Sequence, residues 1–173
     1  MQPTQIRSAT AEPLLLLGTT TRSLSQQYLS TARQTLRHLV DNPGWLVDIP
    51  LARPDHGYAR TLVFGDGAVS VFAFAWAPGA ATGIHDHHCS CCFGVVEGHM
   101  TELRFRTVDD DRVAIAARMQ RDAGHVACMI PTGPNIHQMR NETAEHAITV
   151  HIYGFDSRLH DSSVHREYAL AQG

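Results

Sequence analysis

The sequence has no long hydrophobic run and little excess charge, and both shortages narrow the classes to which it can belong. The four leucines at 14–17 form a far shorter run than the about seven residues of a signal-peptide core or the about twenty of a membrane span. The formal net charge is only -3, so no strong field attracts nucleic acid or an anionic membrane. We therefore expect a cytoplasmic protein that binds neither and acts on small molecules.

Cysteine is also scarce, with four residues at positions 89, 91, 92 and 128. Three of them crowd into four positions, too close together to staple distant parts of a chain. A disulfide framework is therefore excluded as the basis of the fold. With 173 residues and 43% hydrophobic residues, the chain instead has the composition of one globular domain spanning residues 1–173.

One amphipathic helix is predicted over about residues 23–42, before any strand. Its apolar residues recur at helical spacing, and Asn42-Pro43-Gly44 ends it. Further along the chain, short alternating runs at 60–64, 68–76, 101–106 and 147–153 are separated by Gly, Pro and Asp turn signals. This pattern predicts a mainly β protein, an antiparallel β-barrel over about 45–155 with an N-terminal helical segment and a C-terminal tail over about 156–173.

His85 and His87 flank Asp86 and are the first candidate metal ligands. In a strand, residues i and i+2 point to the same face, so both imidazoles can reach one ion. Neutral imidazole binds iron, zinc, copper and nickel, and the pair alone does not select the metal.

The surroundings of these histidines resemble the first motif of the cupin superfamily. Five residues separate Gly79 from His85, three separate His87 from Cys91, and six separate Cys91 from Gly98. Most cupins carry a glutamate ligand at the position of Cys91. A cysteine at this position resembles the thiol dioxygenase branch of the superfamily. The second cupin motif is similar to Gly124, Pro131-Thr132-Gly133, His137 and Asn141. The resemblance implies a jelly-roll fold with His137 as the third ligand.

Two further motifs resemble those of the cysteine dioxygenase family: Tyr58-Ala59-Arg60 before the barrel motifs and the segment 149–153 after them. In this family a hydroxyl and an imidazole hold a tyrosine phenol over the metal, which implies those roles for Thr149, His151 and Tyr153. Strand alternation agrees, because residues 149, 151 and 153 share one face. Three polar groups on one buried face need hydrogen-bond partners, and such a relay supplies them.

The resemblance implies a non-haem iron(II) enzyme that oxidises a small thiol with dioxygen. L-cysteine would bind iron through its thiolate and amine, with its carboxylate on Arg60 and Tyr58, and would become cysteine sulfinate. 3-Mercaptopropionate is the alternative substrate. Relatives that use it carry Gln in place of Arg60, but the pair Tyr153-Gly154 is similar to theirs.

Some family members link a cysteine to the active-site tyrosine through a thioether. The spacing of the cupin motif makes Cys91 the partner of Tyr153. Relatives with one more residue in this segment place the cysteine at a distance from the histidines that corresponds to Cys92. Cys91 shares strand parity with His85 and His87, and Cys92 does not, which favours Cys91 if the strand is unbroken.

Other classes remain alternatives. A non-redox, metal-binding cupin would need neither the relay nor Arg60, and Arg60 would then form a structural salt bridge. A cupin isomerase on zinc or manganese would keep the glutamate that Cys91 replaces. A structural zinc site is the remaining alternative, and its candidate ligands are His85, His87, His88, Cys89, Cys91 and Cys92.

Overall fold

The computed structural model describes residues 8–131 and 135–171. Helix α1 spans Ser8–Asp41, and a short 3₁₀ helix spans Pro43–Asp48. The strands of the described residues are β1 (Tyr58–Gly65), β2 (Ser70–Trp76), β3 (Ile84–His87), β4 (Cys91–Glu97), β5 (His99–Thr107), β6 (Arg112–Asp122), β7 (Val126–Met129), β8 (His137–Arg140), β9 (Ala147–Tyr153) and β10 (Val164–Leu170). The motif residues Thr132 and Gly133 lie outside the described part. Over that part, no helix is both long enough and apolar enough to cross a membrane.

The strands form two five-stranded sheets that face each other. One sheet has the order β1-β2-β9-β4-β7 and the other β10-β3-β8-β5-β6. The second sheet closes on itself where Ala169 and Leu170 of β10 pair in parallel with Arg112 and Val113 of β6. The fold is a mainly β jelly roll preceded by a helix, and this sequence-based prediction is confirmed.

Helix α1 covers the outer face of the first sheet. Its buried residues Ala32, Leu36 and Val40 share a cluster with residues of β4 and β9. Gly94 explains how closely the helix approaches, because a Cβ at that position would lie 2.6 Å from Cγ2 of Val40. Burial of Leu36 is complete, so its truncation to Ala costs about 2–5 kcal/mol of folding stability.

The helix begins at Ser8, whereas the sequence predicted a start near residue 23. Its additional turns carry the four exposed leucines of the run at 14–17. Hydrophobic periodicity reports only the part of a helix that packs against a core, and here that part begins near Tyr28. The first turns therefore left no periodic signal.

The predicted C-terminal tail over 156–173 is wrong as a description of this segment, because it contains β10. This strand pairs with β3, placing Glu167 opposite His85 and Val164 opposite His87. Most side chains of β10 are exposed, so the strand has little hydrophobic alternation and is held by backbone pairing on both edges. The alternation of apolar and polar residues that predicts a strand is therefore weak in β10.

Candidate metal centre

Three imidazoles converge between the two sheets. His85 of β3 is paired with His137 of β8, and His87 lies on the same face as His85, two residues along the strand. One ring nitrogen from each histidine lies within 4.8 Å of the others, and the Nε2 atoms of His87 and His137 are 3.0 Å apart. All three are buried. The structure thus brings together the three ligands predicted from sequence.

Backbone and hydroxyl oxygens orient two of these rings from behind. Nδ1 of His85 lies 3.0 Å from the carbonyl oxygen of Gly83, which can only accept, so this nitrogen carries the proton. Nδ1 of His87 lies 3.1 Å from Oγ and 3.3 Å from the carbonyl oxygen of Ser163. Protonation at Nδ1 leaves the Nε2 lone pair free, and outer hydrogen bonds of this kind position metal-binding histidines.

A buried carboxylate stands behind the third ring. Oε1 of Glu102 lies 3.5 Å from Nδ1 of His137, and the Glu102 side chain is fully buried. Nη2 of Arg121 donates to Oε2 of Glu102 at 2.6 Å, and Nε of Arg104 donates to Oε1 at 3.1 Å. Burial raises the pKa of Glu102, but the interactions with His137 and Arg121 outweigh it and lower this pKa to about 2. Glu102 is therefore an anion held against a candidate ligand.

Burial also keeps two of the three candidate ligands uncharged. Loss of solvent, followed by the neighbouring charge of His137, lowers the pKa of His85 to about 4 and that of His87 to about 2. Both imidazoles are neutral at neutral pH, which is the state that binds a metal. Three imidazole nitrogens in a buried pocket fit a first-row transition metal ion, and this donor set does not by itself select one.

The predicted relay on β9 is present, and it has one further member that the sequence did not predict, Trp76 of β2. Nε1 of Trp76 donates to Oγ1 of Thr149 at 2.9 Å, Oγ1 lies 2.8 Å from Nε2 of His151, and Nδ1 of His151 lies 3.2 Å from the phenol oxygen of Tyr153. The indole N–H can only donate, so Oγ1 of Thr149 accepts from it. The hydroxyl proton of Thr149 is then donated to Nε2 of His151. His151 then donates from Nδ1, and the O–H of Tyr153 is free to point elsewhere.

Cys91 stands opposite Tyr153 across β4 and β9. The N–H of Gly154 donates to the carbonyl of Ser90 at 3.1 Å, so the adjacent pair Cys91 and Tyr153 occupies a non-hydrogen-bonded position, where facing side chains approach most closely. Burial raises the pKa of both groups. Cys92 points the other way, into the cluster under α1.

A cavity of about 270 Å³ adjoins the metal centre at His85. Tyr58 and Arg60 of β1 line it together with His85 and Tyr153, so the predicted substrate residues share one space with the metal centre. Nη2 of Arg60 donates to the carbonyl oxygen of Asp161 at 2.7 Å, and its guanidinium carbon lies 5.5 Å from the centre of the Phe72 ring. The charged end of Arg60 is thus held at one wall of the cavity.

The C-terminal segment supplies a further part of the cavity wall, which the sequence did not predict. Ser162, Ser163, Val164 and Glu167 all line the cavity. The carboxylate of Glu167 approaches Gly83, where a Cβ would lie 3.2 Å from Oε1. A cavity that holds an arginine and a glutamate suits a ligand carrying both signs of charge.

The alternative zinc cluster does not form. Within residues 8–131 and 135–171, His85, His87 and His137 are the one set of three potential ligands close enough to hold an ion. His88 is exposed and contacts the carbonyl of Ser162. The alternative of a salt bridge at Arg60 is not found either, because its partner is the backbone carbonyl of Asp161.

Comparison of the sequence with known families agrees with this geometry. The profile of the family described as "Cysteine dioxygenase type I" matches residues 51–157. The matched segment contains the three histidines, the relay on β9 and the cavity residues of β1. It ends before β10.

Solved structures resemble the fold at low sequence identity. An uncharacterised conserved protein with a double-stranded β-helix domain from Klebsiella pneumoniae is 18% identical, with a TM-score of 0.50 over 61% of this chain and 84% of that one. A sugar phosphate isomerase of the cupin superfamily from Silicibacter pomeroyi is 20% identical, with a TM-score of 0.46 over 57% of this chain and 59% of that one. A cupin superfamily protein from Desulfitobacterium hafniense is 12% identical, with a TM-score of 0.47 over 61% and 84%.

Proposed function

Because the chain belongs to the cysteine dioxygenase type I family, we propose that it is a non-haem iron(II) thiol dioxygenase that converts L-cysteine and dioxygen into cysteine sulfinate. The observation that carries this proposal is a set of three buried histidines, without a carboxylate ligand, that opens into a cavity containing Arg60. The family match supports the thiol dioxygenase class. Iron and L-cysteine are the proposed specifics.

His85, His87 and His137 would hold the iron. Three neutral ligands leave the full charge of a divalent ion uncompensated, which favours binding of an anionic thiolate. Iron(II) bound there would supply a common centre for the thiol and dioxygen, with up to three positions free of protein. Ser163 and the Gly83 carbonyl orient the rings of His87 and His85 from behind, and the Glu102 carboxylate lies 3.5 Å from Nδ1 of His137.

Arg60 would bind the carboxylate of the substrate. Its planar fork suits a carboxylate, and one of its N–H groups is already anchored on Asp161, which limits its freedom before the ligand arrives. Tyr58 lines the same wall. Glu167 also lines this cavity of about 270 Å³, which accommodates a small amino acid whose amino group would bind the iron. 3-Mercaptopropionate lacks that group and is the second candidate, favoured by the pair Tyr153-Gly154.

Tyr153 would hold a proton beside the reacting sulfur. Burial raises its pKa well above 10, so the phenol stays protonated at neutral pH. The relay from Trp76 directs the His151 N–H onto the phenol oxygen, which leaves the Tyr153 hydroxyl as a donor towards the cavity. The rings of Phe72 and Phe155 pack around Tyr153, with their centroids 6.2 Å and 5.7 Å from that of its ring.

Oxygen consumption by the iron-reconstituted protein tests the proposal. L-cysteine, 3-mercaptopropionate and cysteamine serve as candidate thiols, and the sulfur product is identified by mass. We expect one sulfinate formed per dioxygen consumed, with L-cysteine the best substrate. The His137→Ala variant should lose both iron and oxygen uptake. No uptake with any thiol at full iron loading would contradict the proposal and favour a non-redox metal-binding cupin.

A further inference from the structure

Two cysteines outside the metal centre face each other in the sheet under α1. Cys92 of β4 and Cys128 of β7 are paired across adjacent antiparallel strands. Both belong to the layer between the sheet and the helix, whereas Cys91 faces the opposite side of β4. The thiol dioxygenase proposal gives neither residue a role.

The backbone places this pair at a position suited to a disulfide. The N–H of Val95 donates to the carbonyl of His125 at 2.9 Å, and hydrogen-bonded pairs alternate along an antiparallel ladder. Cys92 lies three residues from Val95, and Cys128 lies three residues from His125. The two cysteines therefore form a non-hydrogen-bonded pair. Facing Cα atoms lie about 4.5 Å apart at such positions, at the short end of the about 4.4–6.8 Å range of protein disulfides.

The two thiols differ in acidity. They share a hydrogen bond, which lowers the pKa of Cys128 and raises that of Cys92. The guanidinium of Arg33 on α1 lowers the pKa of Cys128 further. Cys92 is fully buried and Cys128 is half-buried. One thiol is thus the more exposed and more easily ionised member, with a protonated thiol in contact with it.

We propose that Cys92 and Cys128 form an oxidant-sensitive dithiol that hydrogen peroxide converts into an intramolecular disulfide. The Cys128 thiolate attacks one oxygen of peroxide and becomes a sulfenic acid as the O–O bond breaks and water is released. The sulfur of Cys92 then attacks the Cys128 sulfur, which expels the second water. Two thiols are oxidised to one disulfide while one peroxide is reduced to two waters.

The other cysteines lack this arrangement. Cys91 stands opposite Met129 on one side and Tyr153 on the other. Cys89 lies in the interior cluster, where burial raises the pKa of its thiol to about 11. Oxidation should therefore be selective for the pair under α1.

Peptide mapping after peroxide treatment tests this proposal on the full chain. The reduced protein is treated with graded peroxide in a buffer containing a metal chelator, blocked with N-ethylmaleimide in denaturant and digested with trypsin. Positions 89, 91 and 92 fall within one tryptic peptide, 61–104, and Cys128 falls in 122–140. We expect these two peptides to become linked, and the link to disappear with dithiothreitol.

Single alanine variants identify the partners. Cys92→Ala and Cys128→Ala should both abolish the link, while the matched control Cys89→Ala should retain it. Sulfenic acid should accumulate at Cys128 in the Cys92→Ala protein and be trapped there by dimedone. A link that persists in Cys92→Ala, or peroxide consumption that leaves only unlinked sulfinic acid at Cys128 in the parent protein, would overturn the proposal.

Discussion

Cys91 and Tyr153 lie directly opposite each other on β4 and β9, at a non-hydrogen-bonded position of the ladder. Their side chains therefore project to the same face at the closest spacing that antiparallel strands allow. Both line the small space of about 20 Å³ between the three histidines. The two side chains thus share one space beside the candidate metal ligands.

We predict that iron and dioxygen generate a thioether between Cys91 and Tyr153. The bond removes the thiol hydrogen and one ring hydrogen, so the mass of the chain falls by two hydrogen atoms and dithiothreitol does not restore it. Intact-mass measurement before and after turnover checks this. The loss should vanish in Cys91→Ala and Tyr153→Phe and persist in Cys92→Ala, and a persistent loss in Cys91→Ala would exclude the pairing.

Replacing Arg60 by Gln should lower kcat/KM for L-cysteine by roughly 10- to 150-fold, the loss of one charge-assisted hydrogen bond. The loss for 3-mercaptopropionate should be smaller, because relatives that use this thiol carry Gln at the corresponding position. Steady-state oxygen uptake with both thiols measures the difference. Arg53→Gln is the matched control, since Arg53 pairs with Glu97 on the surface. Equal losses for both thiols would contradict the proposed role.

Replacing Glu102 by Gln should weaken iron binding by about 10- to 100-fold, as expected when the group behind a metal-binding histidine is removed. Competition with a chelator measures the affinity directly, and a denaturation curve of the metal-free protein separates this effect from loss of stability. The control is Glu142→Gln, which alters the surface ion pair with Arg118. Unchanged iron affinity in a folded Glu102→Gln protein would show that Glu102 does not position His137.

Stability should fall in mild acid because of His151. Burial lowers its native pKa to about 3, while the unfolded chain titrates near about 6.5. Between these values the unfolded state binds a proton that the native state does not. Stability is therefore lost as pH falls below about 6.5, at up to about 1.4 kcal/mol per pH unit from this group.

Urea denaturation of the metal-free protein at pH 7, 6 and 5 measures this dependence. The His151→Gln variant lacks the titrating group and keeps hydrogen-bonding atoms for Thr149 and Tyr153. Its stability should decline less steeply with falling pH than that of the parent protein. Parallel declines would assign the acid sensitivity to other histidines.

Local spacing predicted two of the candidate ligands, and the resemblance to the second cupin motif added His137. His85 and His87 are separated by one residue of a strand, and the alternation of β9 sorts Thr149, His151 and Tyr153 onto one face. The parity that Cys91 shares with His85 and His87 is meaningful only along an unbroken strand, but β3 and β4 are separate strands in different sheets. Cys91 still faces the interior because its own strand pairs with β9.

Residues that support the ligands were not found, because their partners are distant in sequence. Ser163 meets His87 across 76 positions, and Arg60 meets Asp161 across 101. No local period reports such contacts. Glu102 lies on the same face of β5 as the buried Met100, two residues away. A charged residue on a buried face needs a partner, so strand alternation could have indicated a role for Glu102.

The pairing of β10 with β3 makes the metal site dependent on the order in which the chain is synthesised. All three histidines have been made once residue 137 is reached, but the strand that flanks His85 and His87 follows about thirty residues later. A nascent or prematurely terminated chain ending before β10 carries every ligand without the edge that aligns two of them. The metal centre is therefore fully aligned only after β10 has been made, and not when its last histidine is made.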